Sequence, residues 1–411
     1  MTPPPSAPTA PTAPIAPIVI LGAGAAGLAA ALFAAGLSET EGRRVLLLER
    51  TRDGGRKILV SGGGRCNILP SEAAPERFVT ASSPNTLRKI LLSWPLAEQR
   101  RFFEEEAGIA LALEAESGKL FPASNNAREV RDKLVALAAR RGVERRFGAL
   151  VTGLEPSEAG WSVRLEDGSA ITARSVIVAT GGLSLPGTGS DGIGIELVRS
   201  LGHTIHPTYP ALTPLIATPP RHAALAGISL DVTITAPRIL STHGGFLFTH
   251  RGYSGPAVLD ISHLAARSPL LVQWTDLDAA AWDERLRTGS GVVMTPLRRS
   301  MPERLAEALL AEAAIHPGRP HHQLRRDERL RLVELLTRYP LPWTGDEGYR
   351  KAEVTGGGVA LSEIDPRTLE SRLCPGLFLC GEILDAFGPI GGHNFSWAWA
   401  TGRAAGLGAK R

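Results

Sequence analysis

Four successive apolar residues, Ile18-Val19-Ile20-Leu21, give way to Gly22-Ala23-Gly24-Ala25-Ala26-Gly27 and then to an alanine-rich run that reaches Ala35. A short β-branched stretch, a small-residue turn and a run without breakers predict strand, turn and helix, with Gly36 placed to end the helix. A second apolar run, Val45 to Leu48, closes in Glu49. Ser175-Val176-Ile177-Val178 and Leu377-Phe378-Leu379 are further strands without alternation, as expected for strands buried on both faces of a parallel sheet. Residues 84–142 read as helical. Leu87, Ile90, Leu91 and Trp94 share a face there, and a later helix over residues 126–141 is stopped by Gly142. Residues 160–172 alternate and predict a hairpin turning at Asp167-Gly168.

From His203 to Gln273 the pattern changes to short β runs broken by Pro and Gly, including residues 227–235 and 238–248. Residues 282–339 return to helical periodicity, with Pro302 near one helix start and Pro340 closing another. The middle of the chain therefore reads as an inserted domain, part barrel or sandwich and part helices. Ala352 to Val359 begins a return to the first domain. The expected division is a Pro/Ala-rich disordered tail (1–16), a dinucleotide-binding domain in two parts (17–200 and 350–411) and an insert (201–349). A chain of 411 residues exceeds the usual single core, so more than one domain is expected.

Candidate chemistry concentrates in glycine turns. Gly22 allows a sharp turn, Gly24 lets a pyrophosphate approach the backbone, and Gly27 lets helix pack on strand. The helix that begins at Ala25 and Ala26 points free N–H groups and its positive dipole end at the phosphates. A lone G-x-G-x-x-G is weak among 45 glycines. Here an apolar strand precedes it, and Glu49 lies 22 residues past Gly27, close to the roughly 20 expected for a ribose-binding acid. Arg50 follows that acid. Arg56, Lys57 and Arg65 surround the loop Ser61-Gly62-Gly63-Gly64, which leads to Asn67, a good arrangement for holding a diphosphate or ringing an isoalloxazine.

Ala179-Thr180-Gly181-Gly182 and Gly381-Glu382 end their strands at the edge where open α/β sheets bind cofactors. Glu382 or Asp385 can hold ribityl hydroxyls. Gly391-Gly392-His393-Asn394-Phe395 enters a helix whose N-terminus can face a flavin pyrimidine and favour its anionic reduced form. His393 is the titratable side chain to test first as proton donor or acceptor, with packing as the competing role. His250 lies in a polar, turn-rich segment that can return to the cleft and is the second catalytic candidate. Residues 187–192 also spell G-x-G-x-x-G, but Pro186 stands where the strand would be, so no second nucleotide site is expected and no NAD(P)H pocket is evident.

Composition narrows the class. Hydrophobic content of 43% and charged content of 21% suit a globular protein, and no apolar run approaches the roughly 18 residues of a membrane span. Residues 1–17 lack the basic and apolar regions of a signal peptide, so a cytoplasmic location is expected. Net charge is +4 without a polybasic block, which argues against a nucleic-acid footprint. The three cysteines make no C-x-x-C pair, and His321-His322 has no carboxylate spacing around it, so no metal is expected.

Taken together, these motifs resemble the bacterial BaiN/YhiN-like NAD(P)/FAD-dependent oxidoreductases, also described as the aminoacetone oxidase family. The resemblance runs from Ile18 to Gly406. It rests on Gly22 to Gly27, Gly55-Arg56-Lys57, Ser61 to Asn67, Ala179 to Gly182 with Thr188 to Gly192, Leu247 to His250 with Ser254-Gly255-Pro256, Glu353 to Val359, and Gly381-Glu382 through Asn394. It implies an α/β, Rossmann-like FAD-binding domain of the glutathione-reductase type, with FAD held non-covalently and an inserted β-barrel plus helical subdomain. The implied activity is hydride transfer between flavin N5 and an organic small molecule, an aminoketone or a conjugated ketone, with NAD(P)H or O2 as redox partner.

Two departures keep the substrate open: Asn67-Ile68-Leu69-Pro70 stands where the family has Asn-x-Thr-Asn, and Gly391-Gly392-His393-Asn394 where it has Gly-Gly-Tyr-Asn. The alternative is a flavin-dependent tRNA modifier resembling glucose-inhibited division protein A. No basic helical C-terminal domain is visible for it in this sequence. A flavin disulfide reductase lacks its cysteine pair.

Overall fold

The computed structural model describes residues 17–36 and 44–411; the expected tail, residues 1–16, lies outside them. Its centre is a five-stranded parallel sheet in the order Leu377–Leu379, Ser175–Val178, Ile18–Leu21, Val45–Glu49, Glu144–Phe147. Ile18 lies opposite both Ser175 and Val45, so the first strand is central. Strands from both ends of the chain thus share one sheet, and the four apolar ones are buried along their whole length.

The first helix, Ala25–Ala35, is buried almost all round. A helix apolar on every face has to be covered on every face. One cover is the last helix, His393–Lys410, which approaches so closely that a Cβ at Gly402 would strike the Ala26 carbonyl and one at Gly406 the Ala30 carbonyl. The hairpin of Gly160–Leu165 and Ala170–Ala173 forms as expected, with the Asp167 carboxylate accepting the Ser169 N–H (2.9 Å) across the turn. The helix Ala127–Arg140 is capped by Asn126, whose side chain accepts from Arg128 N–H (3.0 Å).

Residues 84–142 are not all helical. After Pro84–Leu91 and Leu96–Arg101, an antiparallel hairpin pairs Leu111–Glu114 with Lys119–Pro122, and Leu69–Pro70 adds a third strand. Residues 109–116 are rich in helix formers, but burial of Leu111, Leu120 and Phe121 together with the left-handed turn at Gly118 (φ +62°) overrides that propensity.

Two antiparallel strands, Ile205–Ala211 and Val354–Val359, lead out to the insert and back. The insert contains a seven-stranded antiparallel sheet whose edge strands are Tyr339–Pro340 and Gly345–Asp346. Those edges are joined by a link that spans at most about 17 Å, so the sheet curls back on itself. Helices Ala279–Thr288, Met294–Ser300, Glu303–Glu312 and Arg326–Thr337 pack with it. The apolar interior follows this division. One core gathers residues between 18 and 205 and between 359 and 409; a second runs from Leu215 to Leu341; Ala211, Leu212, Val354 and Phe387 form a small third.

Candidate active-site cleft

The carboxyl ends of the parallel strands open into a cavity of about 700 Å³. Leu21, Glu49, Ala179 and Gly381 bring strand ends to it, as the topology of an open α/β sheet requires. Gly22 (φ +98°) turns the chain there, and a Cβ on it would lie 3.1 Å from Thr180 Cα and closer still to the Ala179 carbonyl. A Cβ on Gly27 would collide with the Gly22 carbonyl oxygen, so this glycine is needed for close packing of helix on turn. Gly24 has open space beside it. The first helix carries no side-chain cap and no acidic residue in its first turn, which leaves N–H groups and the positive dipole end for a ligand anion.

Glu49 lines the cavity and is held firmly. One carboxylate oxygen accepts the Ala23 N–H (2.8 Å), and the other accepts the Thr51 N–H (2.8 Å) and hydroxyl (2.7 Å). Arg50 pairs with Asp191, which draws the loop over Thr188, Gly189 and Ser190 against the same wall. The second G-x-G-x-x-G therefore completes the first cleft. Its missing strand hid this, because the contact joins residues 141 apart.

Across the cavity Lys57 pairs with Glu382 and donates to the Ser184 hydroxyl (2.5 Å). Glu382 also accepts the Ser184 hydroxyl (2.5 Å) and the Thr355 N–H (3.1 Å). Gly62 and Gly63, both left-handed, line the cavity, while Arg56 pairs with Asp53 (2.8 Å) and lowers its carboxyl below the ordinary range. Arg65 lies over Phe121 at 3.9 Å and pairs with Glu114 (2.9 Å). Cys66 is behind this wall; burial pushes its thiol up to about 12, so it stays protonated.

The last helix supplies a second uncapped N-terminus. Gly391 (φ +110°) and Gly392 (φ +92°) precede it, and a Cβ on Gly392 would press on the backbone of Leu69 and Pro70 (2.8 Å to Pro70 N). With its amide assigned by hydrogen bonding, Asn67 accepts the Gly392 N–H (3.0 Å). Asn394 closes the turn by accepting Gly388 N–H and donating to Gly388 O, both at 2.9 Å.

Of the residues expected from sequence to hold a cofactor, Gly27, Gly64, Gly182, Asp385 and His393 do not line the cavity; the others do. Gly182 packs against Thr355 and Glu382. Asp385 is engaged elsewhere: one oxygen accepts from the Thr80 hydroxyl (2.9 Å), the Ala81 and Ser82 N–H groups (3.0 and 2.8 Å) and the Ser82 hydroxyl (2.8 Å). The His393 ring is buried edge-on to Phe78, and burial, helped by the charge of Arg77, lowers it to about 4, so it is neutral at ordinary pH. His250 is exposed in the turn between Leu240–Phe248 and Gly252–Ser254, off the cavity wall.

Lys119, Phe121, Ala149 to Val151, Lys351 and Glu353 line the cavity without having been expected. The strand-end rule would have found Ala149 to Val151, which follow Glu144–Phe147. Nothing local marks Lys119, since its hairpin was masked by helix formers.

The residues present fit a dinucleotide. Two uncapped helix N-termini face one cavity, and the Thr180 and Ser190 hydroxyls on its wall are buried with no hydrogen-bond partner among the described residues. The parallel sheet with this cleft at its carboxyl edge suits a dinucleotide cofactor, and the chain's family and relatives make the protein an FAD-dependent oxidoreductase, with FAD as cofactor.

The chain belongs to the family of the HI0933-like protein Rossmann domain, whose profile matches residues 16–408. It is 34% identical over 391 residues to the ribosomal RNA dihydrouridine synthase of Escherichia coli (strain K12), covering 93% of this chain and 95% of that protein. It is 33% identical over 410 residues to the 3-dehydro-bile acid delta(4,6)-reductase of Clostridium scindens, covering 95% and 98%. The crystal structure of 3-ketosteroid-delta4-(5alpha)-dehydrogenase from Rhodococcus jostii RHA1, in complex with 4-androstene-3,17-dione, superposes with a TM-score of 0.52 at 15% identity, covering 96% of this chain and 97% of that one, which supports the fold alone. No helix among the described residues is long and apolar enough to cross a membrane.

Proposed function

We propose that the protein is a reductase of carbon–carbon double bonds conjugated with a carbonyl group. The observation that carries this reading is the composition of the cleft: a dinucleotide cradle at Gly22 to Glu49, continuous with a wall bearing Lys119 and Glu353. The names of two full-length relatives support it. Making dihydrouridine saturates a ring double bond conjugated with a carbonyl, and a delta(4,6)-reductase of a 3-keto acid saturates the same kind of bond in a steroid. FAD, when bound, supplies the hydride at N5.

The chain's own residues do the rest. N–H groups at Ala25 and Ala26 and the fixed Glu49 hold the diphosphate and ribose. Lys57, locked to Glu382, and the turn Gly391-Gly392 with Asn394 hold the ring system and orient it. The uncapped end of the last helix stabilises negative charge that develops on the ring. A nicotinamide serves as electron donor.

The test is anaerobic. Holoprotein bleached by NADH or NADPH should regain its colour on mixing with 2-cyclohexen-1-one or 4-androstene-3,17-dione. Bleaching by amines or α-aminoketones alone, with no recolouring by either enone, would instead place the protein among amine oxidases. A second reading keeps the chemistry and changes the substrate to a uridine in RNA, favoured by the 34% and 33% identity to two bacterial ribosomal RNA dihydrouridine synthases. It predicts recolouring by ribosomal RNA with steep salt dependence, and a gain of two hydrogens on one uridine by mass spectrometry.

A further inference from the structure

Four carboxylates line the cavity, and three are committed. Glu49 is bonded to Ala23 and Thr51, Glu114 to Arg65 (2.9 Å), and Glu382 to Lys57, Ser184 and Thr355. The fourth, Glu353, has no hydrogen-bond or ion-pair partner for its side chain among the described residues; the residue lines the cavity with part of its surface open to solvent. Its backbone is nonetheless fixed. The Glu353 N–H donates to Leu212 O (3.2 Å), and the next residues pair with Ala211 and Pro210 where the chain returns from the insert.

Charged groups from separate elements converge on it. Lys119, from the hairpin strand Lys119–Pro122, lines the same cavity and passes within 3.7 Å (its Cε) of where a Cβ on Gly391 would lie. Lys57 reaches in from the helix Arg56–Val60. Asp260, from the insert helix Pro256–Ile261, accepts the Ile390 N–H (2.7 Å) beside the ring-side turn, with the Arg77 guanidinium 4.0 Å away. The crowding walls, and then the charge of Asp260, raise the Glu353 carboxyl above the ordinary range, while Lys57 and Lys119 oppose the rise. Burial likewise pushes Asp260 up to about 6, against its bond from Ile390 and the charges of Arg77 and Lys119. The cysteines do not compete for a proton-donor role: Cys66 and Cys380 are buried off the cavity wall with raised thiols.

We propose that Glu353 is the proton donor of this site, handing its carboxyl proton to the carbon next to the substrate carbonyl. The inference rests on the reading of the preceding subsection. The reduction balances as follows. The hydride from reduced FAD, itself reduced by a nicotinamide, adds to the far carbon of the double bond. The displaced π pair takes the proton from Glu353. The substrate gains two hydrogens and two electrons, and Glu353 is left as a carboxylate that water reprotonates. A general acid is helped by a proton held more tightly than on an ordinary carboxylate, and burial moves Glu353 in that direction.

The test uses FAD-loaded full-length protein. By infrared titration, the wild type should show protonated-carboxyl bands from both Glu353 and Asp260 persisting at a pH where ordinary carboxylates are ionised, and Glu353→Gln should lose the Glu353 band and keep that of Asp260. Asp260→Asn, which removes a like charge, should move the Glu353 midpoint to lower pH. Anaerobic recolouring of the reduced protein by 2-cyclohexen-1-one should slow about 100-fold or more in Glu353→Gln. In the wild type the rate should fall as pH rises through the Glu353 midpoint, and in Asp260→Asn that fall should come at lower pH. An unchanged infrared titration in Glu353→Gln overturns the assignment by itself. Equal recolouring rates in wild type and Glu353→Gln overturn the role of Glu353 alone, whereas a wild type that no enone recolours overturns the function proposed above.

Discussion

The two helix N-termini on the cleft are both uncapped and are built differently. The first, at Ala25, follows its strand within four residues; Gly22 and Gly27 meet inside one short segment, and only the Ala179-Thr180 backbone against Gly22 comes from far along the chain. The last, at His393, depends on parts of the chain more than 300 residues away. Asn67 holds Gly392, the Gly392 backbone lies on Leu69, and the Trp399 indole donates to Ile68 O (3.1 Å). The first turn is largely encoded locally, because its glycines and helix end lie within one short segment. A ring-facing turn has to be placed by the tertiary structure, since it must sit opposite a wall made elsewhere.

The largest effect should come from breaking the local turn. Gly27→Val puts a β-branched side chain onto the Gly22 carbonyl, a clash costing about 3 kcal/mol or more. The expected result is colourless or insoluble protein, read from the FAD-to-protein absorbance ratio and Tm. A yellow Gly27→Val with a normal Tm would refute the claim that close packing builds the turn. Gly392→Ala should be milder, at about 1–3 kcal/mol, since it combines a left-handed φ of +92° with pressure on Leu69. FAD should still bind, but more weakly, as measured by fluorescence titration. An effect as large as that of Gly27→Val would mean the two turns are equally indispensable.

The third test sharpens the comparison through pH. The His393 ring is held near 4, against 6.5 for an ordinary histidine. Between those values the unfolded chain binds the proton and the folded chain does not, so this contribution is complete above pH 6.5 and lost as pH falls toward 4. The loss is on the order of 3 kcal/mol at most. His393→Phe should therefore melt higher than wild type at pH 5 and much the same at pH 8, and keep its yellow colour. His263, also held near 4 by burial, keeps part of the acid sensitivity in both proteins. A shift of the catalytic pH profile in His393→Phe, with Tm unchanged at pH 5, would return the ring to the mechanism.

Where a contact is local, periodicity and turn chemistry disclose it. The glycine turn from Gly22 to Gly27, the Asn126 cap and the Asp167-Gly168 hairpin were all written within a few residues, because hydrogen bonds and steric limits at short range follow directly from residue type. Asp385 and His393 carried the right residue types for a flavin site, but four hydrogen-bond donors around residue 80 and the Phe78 ring claimed them. The hairpin that delivers Lys119 was hidden by helix formers until burial chose strands. Glu353 was one acid in a glycine-rich run until the strand returning from the insert set it on the cavity wall. Sequence determined which residues could bind a dinucleotide, through backbone freedom and helix ends. The tertiary structure decided which carboxylates were left unpaired on the cavity wall, because pairing and desolvation depend on neighbours that arrive from anywhere along the chain.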